Sequence, residues 1–155
     1  ADIVGTANTN TTNKPWIPNV SIDVGRHKYV LISALRNCSN SSTSSRSDDD
    51  NTNEPQQQKP QQNRHRDYFV ISKAHAEYHR DVAEPFVTQL QHHGSYHSIQ
   101  ITGGGRINRN DTQRTIDIYG YSYGFGLADH ALSQQIIQQD PTFASYTITW
   151  SNEGY

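Results

Sequence analysis

Histidine, glutamate and histidine alternate in His75-Ala76-Glu77-Tyr78-His79. His79 stands just before a stretch with helical periodicity. A histidine there can meet a ligand beside the unpaired N–H groups of a first helical turn. The same pattern admits a metal reading, because alternate residues of a strand share one face. It lacks the spacing of zinc-protease motifs, and no third ligand stands near it in sequence. Each of these histidines also has a plain reading as a surface or packing residue.

Two glycine-rich segments offer phosphate chemistry. Gly103-Gly104-Gly105-Arg106 closes a predicted strand. Glycines allow close backbone approach, and an arginine can fork onto phosphate oxygens. A hairpin turn is the plain alternative. Tyr119-Gly120-Tyr121-Ser122-Tyr123-Gly124-Phe125-Gly126 runs from a strand toward a helix. That arrangement makes an anion cradle from main-chain donors and the helix dipole. It is neither a Walker loop nor a dinucleotide fingerprint. His130 follows, either as a site residue or as a helix surface group. Lys28 stands at the start of the first predicted strand and reads, alone, as a solvated charge.

These residues need elements to position them. His27–Leu35, Asp67–Ala74, His97–Thr102, Thr115–Ser122 and Tyr146–Trp150 read as strands from their β-branched, aromatic and alternating residues. Arg80–His93 reads as a helix, with Val82, Phe86, Val87 and Leu90 on one stripe and Gly94 as the stop. Pro85 predicts an irregular or late first turn. Leu127–Gln139 reads as a second helix, with Leu127, Ala131, Leu132 and Ile136 inward and Pro141 beyond its end. The expected fold is α/β (α+β): a single mixed β-sheet flanked by two α-helices.

From Asn37 to Arg66, Cys38 is the only apolar residue among thirty. Such a segment cannot offset an ordering entropy of about 1–2 kcal/mol per residue. It predicts a long disordered loop inserted between the first two strands. Residues 1–14 predict a flexible leader, and 15–155 one domain interrupted by insert 37–66. Pro15-Trp16-Ile17-Pro18 is a stiff entry that Trp16 can anchor.

The chain has 155 residues, of which 32% are hydrophobic, and its net charge is −2 from 13 basic and 15 acidic side chains. That balance argues against general nucleic-acid binding. No apolar run reaches the roughly 18 residues of a membrane span, and no secretory signal is evident. One cysteine excludes an internal disulfide framework and points to a reducing compartment. With no methionine, the chain reads as a processed or partial product.

Several segments together resemble one family. They are Ile17-Pro18, Lys28-Tyr29-Val30-Leu31-Ile32, Ala76-Glu77-Tyr78-His79, Gly103-Gly104-Gly105-Arg106-Ile107, Tyr119-Gly120-Tyr121-Ser122, Ala128, His130-Ala131 and Thr149-Trp150-Ser151-Asn152-Glu153-Gly154-Tyr155. Their order and spacing are similar to the small phosphohistidine phosphatases of the janus/ocnus family. The resemblance implies a metal-independent, cytoplasmic, monomeric phosphatase that needs no cofactor. Its partners would be phosphohistidine-containing proteins, with no nucleic acid and no membrane. It makes His79 the catalytic residue, as general base or nucleophile. It places Lys28, Arg106 and His130 near the phosphate, with main-chain donors from Arg80, Ser122, Tyr123 and Gly124. Three features depart from the pattern. Ile71 stands eight residues before His79, where the family often has arginine and where Lys73 is the nearest substitute. The insert and Pro85 are the other two. A non-enzymatic phosphate-binding or regulatory protein is the alternative.

Overall fold

The computed structural model describes residues 15–37 and 64–153. Six strands form one sheet in the order β1-β3-β2-β4-β5-β6. They are β1 (Val20–Ile22), β2 (Gly25–Asn37), β3 (Arg64–Ser72), β4 (Tyr96–Asn110), β5 (Thr115–Tyr119) and β6 (Thr147–Trp150). Helix α1 (His79–His93) links β3 to β4, and α2 (His130–Gln139) links β5 to β6. Strands β3 and β4 both run antiparallel to β2, which lies between them, whereas β5 and β6 pair parallel. The mixed sheet with two helices is the predicted architecture.

Alternation along β2 divides the interior into two layers. Val30, Ile32 and Ala34 pack with Phe69, Ile71 and the α1 stripe Val82, Ala83, Phe86 and Leu90. Tyr29 and Leu31 pack on the other face with Ile107, Ile118 and Ile137 of α2. Fully burying one such side chain stabilises the fold by about 1.5–3 kcal/mol. Trp16 anchors the entry: its ring stacks on His93 at 5.6 Å, and the Arg36 guanidinium lies 4.4 Å over it.

Several sequence expectations change. Strand β1 was not anticipated; three residues at a sheet edge are too few to show a period. The glycines do not close a strand: β4 continues through Gly103, Gly104 and Gly105 to Asn110. Helix α1 starts at His79 and stays helical through Pro85. Pro85 is exposed, and the carbonyl that loses its helical donor belongs to Asp81, an exposed residue of the first turn. Helix α2 starts three residues later than expected, because the Asp129 side chain caps it by accepting from the Leu132 N–H at 3.0 Å. Its buried residues are accordingly His130, Ser133 and Ile137, while Leu127 is about half exposed.

The ends of the predicted insert also belong to the sheet. Arg36 pairs with His65 and Asn37 with Arg64, extending the β2–β3 ladder beyond the apolar residues. Backbone pairing next to an existing ladder needs no apolar side chain. The leader and residues 38–63 lie outside the described residues.

Candidate active site

A register shift in the β2–β4 ladder decides which β4 residues face α1. Leu31 pairs with Gly103 but Ile32 with Ile101, so Thr102 is an extra residue. A one-residue bulge flips every following side chain to the other face. Gly104 and Arg106 thereby join Lys28 and Val30 on the α1 side, with Lys28 directly opposite Arg106.

Helix α1 delivers His79 as its first residue. The Tyr78 N–H donates to Asp81 Oδ2 at 2.8 Å, half of a capping box that sets the start of the helix. His79 is 8% exposed and packs over Gly104. A Cβ at Gly104 would stand 2.9 Å from His79 Cδ2 and 2.8 Å from the Tyr29 carbonyl oxygen. Only glycine lets the imidazole lie on the sheet here. The triplet therefore serves close packing rather than a turn.

The ring's proton is assigned by its partner. His79 Nε2 lies 2.9 Å from the carbonyl of Gly105, so Nε2 must donate and Nδ1 carries the lone pair. Burial holds the imidazole below its ordinary value of 6.5, and the charges of Lys28 and Arg106 push the same way. The Gly105 hydrogen bond opposes them without reversing the direction. A neutral histidine with a basic Nδ1 is the result near pH 7.

His79 opens onto a cleft of about 570 Å³ lined by Lys28, Glu77, Tyr78, Arg80, Ser122, Tyr123, Gly124 and Phe125. That is within the usual range for ligand sites. A hollow of about 560 Å³ lies elsewhere, beside α2 and β3, and none of the predicted site residues line it. The cleft thus gathers Lys28, His79, Arg80, Ser122, Tyr123 and Gly124. Arg106 is half-buried next to them, close enough for its charge to act on His79.

Two predicted residues have other tasks. The Ser122 N–H donates to the Gly126 carbonyl at 3.1 Å, and Ser122 Oγ accepts from the Phe125 N–H at 3.1 Å. Its main-chain donor is therefore used to shape the turn that carries Tyr123 and Gly124 at its tip. His130 does not reach the cleft. It lies on the α2 face, 1% exposed, with Nε2 donating to the Gly120 carbonyl at 2.8 Å and Nδ1 accepting from the Tyr29 hydroxyl at 2.5 Å. Burial also holds His130 below its ordinary value and pushes the Tyr29 phenol above the usual tyrosine range.

Lys73 does not substitute at the cleft either. Its Nζ donates to Ser21 Oγ at 2.6 Å and lies 3.9 Å from Asp23, while Ile71 is buried in the core against α1. His75 and Glu77 are exposed, and the segment between β3 and α1 is a turn, not a strand. Among the described residues no three histidine, cysteine or carboxylate side chains form a metal-holding group. Tyr78 and Phe125 were missed as lining residues. Their positions, just before His79 and just after Gly124, were the available signal.

The family model described as Ocnus: Janus/Ocnus family matches residues 56–147. The chain belongs to the Janus/Ocnus family. Over 80 residues it is 35% identical to the 14 kDa phosphohistidine phosphatase of Sus scrofa, covering 52% of this chain and 60% of that one. It is 36% identical to the protein of the same name in Homo sapiens, covering 52% and 61%. Over 53 residues it is 47% identical to sex-regulated protein janus-A of Drosophila melanogaster, covering 34% and 38%. The match spans about three fifths of the length of the phosphatase relatives. Among the described residues of this Janus/Ocnus chain, no helix is long and apolar enough to cross a membrane.

Proposed function

We propose that this protein hydrolyses the P–N bond of phosphohistidine in proteins, with His79 as its catalytic residue. The observation that carries the reading is the state of His79: neutral, with Nδ1 basic, at a cleft beside two cations. Relatives named phosphohistidine phosphatase support it.

Phosphoryl transfer asks a protein for positioning and charge stabilisation. Lys28, Arg106 and the main-chain N–H groups of Arg80, Tyr123 and Gly124 hold the three phosphoryl oxygens. Removing one such donor can cost roughly 3–4 kcal/mol of barrier lowering. His79 Nδ1 takes a proton from water as the water oxygen bonds phosphorus. The P–N bond breaks, and its electron pair leaves with the imidazole nitrogen. That nitrogen takes up a proton from solvent while His79 Nδ1 returns its own to solvent. Because that bond is labile, fixed cations suffice and no metal is required. The same nitrogen can instead attack phosphorus; water activation is the route proposed, so no phosphorylated His79 should accumulate during turnover. The protein acts as a monomer in the cytoplasm.

A phosphohistidine peptide incubated with the whole chain tests this. Phosphate should be released at equal rates with and without EDTA. Activity lost to EDTA and restored by zinc would instead favour a metal hydrolase. A second reading, phosphate binding without turnover, is favoured by the buried Ile71 and the janus-A relatives. Binding of the peptide with no release of phosphate would establish it.

A further inference from the structure

The cleft is much larger than a phosphoryl group, and its mouth is aromatic. Tyr78 is 53% exposed and Tyr123 81%, yet both line the cleft, together with half-buried Phe125. The Tyr123 ring has a neighbour that holds it: Tyr121 packs against it edge-on, with centroids 5.3 Å apart at 77°. On Tyr78, the Arg80 guanidinium sits 5.4 Å over the ring. Exposed rings gathered at a cleft mark a binding surface more than chance exposure does.

Two of the cations are set apart from the rings, while Arg80 stands among them over Tyr78. Lys28 and the neighbouring Arg106 lie on the sheet that floors it, where a phosphoryl group would be held next to His79. The group attached through nitrogen then projects toward the mouth, among the rings. Imidazole is flat and can stack on tyrosine; the alkyl chain of a phosphorylated lysine has no ring face to offer.

Resting on the phosphatase reading, we propose that the Tyr123 and Tyr78 rings receive the imidazole of phosphohistidine. They make the site select a planar leaving group over an aliphatic amine. Both are specificity residues through their side chains, a role separate from the main-chain donors of the loop.

The test compares two peptides of one sequence, carrying phosphohistidine or phospholysine. The ratio of their kcat/KM values should fall roughly three- to tenfold in Tyr123→Ala, the range expected for one aromatic contact. Tyr123→Phe, which keeps the ring, should retain the ratio of the parent. An unchanged ratio in Tyr123→Ala would overturn the proposal. A parallel arm needs no turnover: binding of stable phosphonate peptides, one with a triazole ring and one with an alkyl spacer. Tyr123→Ala should lose the preference for the ring-bearing peptide, and a retained preference would overturn the proposal. If the parent protein turns over neither phosphopeptide, the phosphatase reading fails and the binding arm alone decides the role of the rings. Circular dichroism of each variant confirms that it is folded.

Discussion

His79 donates Nε2–H to the carbonyl of Gly105 at 2.9 Å, and that one bond leaves Nδ1 as the nitrogen with the lone pair. Its acceptor belongs to a strand whose preceding residue, Gly104, lies under the ring. Helix start, bulge and glycine triplet therefore act as one positioning device.

Gly104→Ala tests that device. The added methyl would lie within 3.0 Å of the Tyr29 carbonyl oxygen and of His79 Cδ2, and the backbone oxygen has little room to move. Overpacking should destabilise the fold by about 1–3 kcal/mol, seen as a lower urea midpoint. Displacing His79 by about 1 Å should lower kcat/KM roughly 100-fold.

The acid limb of the pH profile follows from the depressed His79. The base is neutral above its folded value, which lies below 6.5. Activity should hold from neutral into mildly acid solution and fall as pH drops through that lowered value. Lys28→Met removes one of the charges that depress it, so the acid limb should move toward higher pH. A limb that stayed in place would separate Lys28 from the histidine.

Stability should share that direction. His79 and His130 both have folded values below 6.5, so under acid the unfolded chain binds more protons than the folded one. Their contribution is complete above pH 6.5 and is lost as pH falls through the folded values. Urea midpoints at successive pH values should therefore decline below 6.5. Tyr29→Phe would leave the buried His130 Nδ1 without its donor and should cost about 1–3 kcal/mol. Because this pair lies on the α2 face, the acid limb of the activity profile should stay where it is.

Much of this arrangement was legible in the residues. The α1 stripe, with its stop at Gly94, showed the helix from Arg80 onward, but the start at His79 was not legible. The Asp81 side chain that fixes it through the Tyr78 N–H leaves no apolar period, and Pro85 pointed to a later first turn. Lys28 and Arg106 were legible as single cations, but their pairing depends on a ladder register that no local pattern displays. The glycine triplet misled because glycine usually weakens a strand; here buried neighbours on both faces require it. His130 looked like a site residue because it follows the glycine-rich loop. Its Asp129 cap and buried bonds to Tyr29 and Gly120 turn it to the opposite face. The Ser122 donor was misplaced because a main-chain bond within a tight turn leaves no trace in side-chain identity.

The strand ends predict what excising the insert would do. Asn37 and Arg64 are direct partners in the β2–β3 ladder. Replacing residues 38–63 with Asn-Gly gives a two-residue loop suited to the twist of a hairpin. The shortened protein should fold, and its kcat/KM should stay within about twofold of the parent, since every proposed contact lies elsewhere. A collapse of activity in a folded protein would assign the segment a part in catalysis.

The most direct measurement is phosphate release from a phosphohistidine peptide in EDTA by the parent protein and by His79→Ala. Steady turnover by the parent and a loss of at least about 100-fold in the variant is the predicted result. Thermal melts of both proteins would show that the variant is folded. Full activity in folded His79→Ala, or no turnover by the parent, would contradict the catalytic role given to His79.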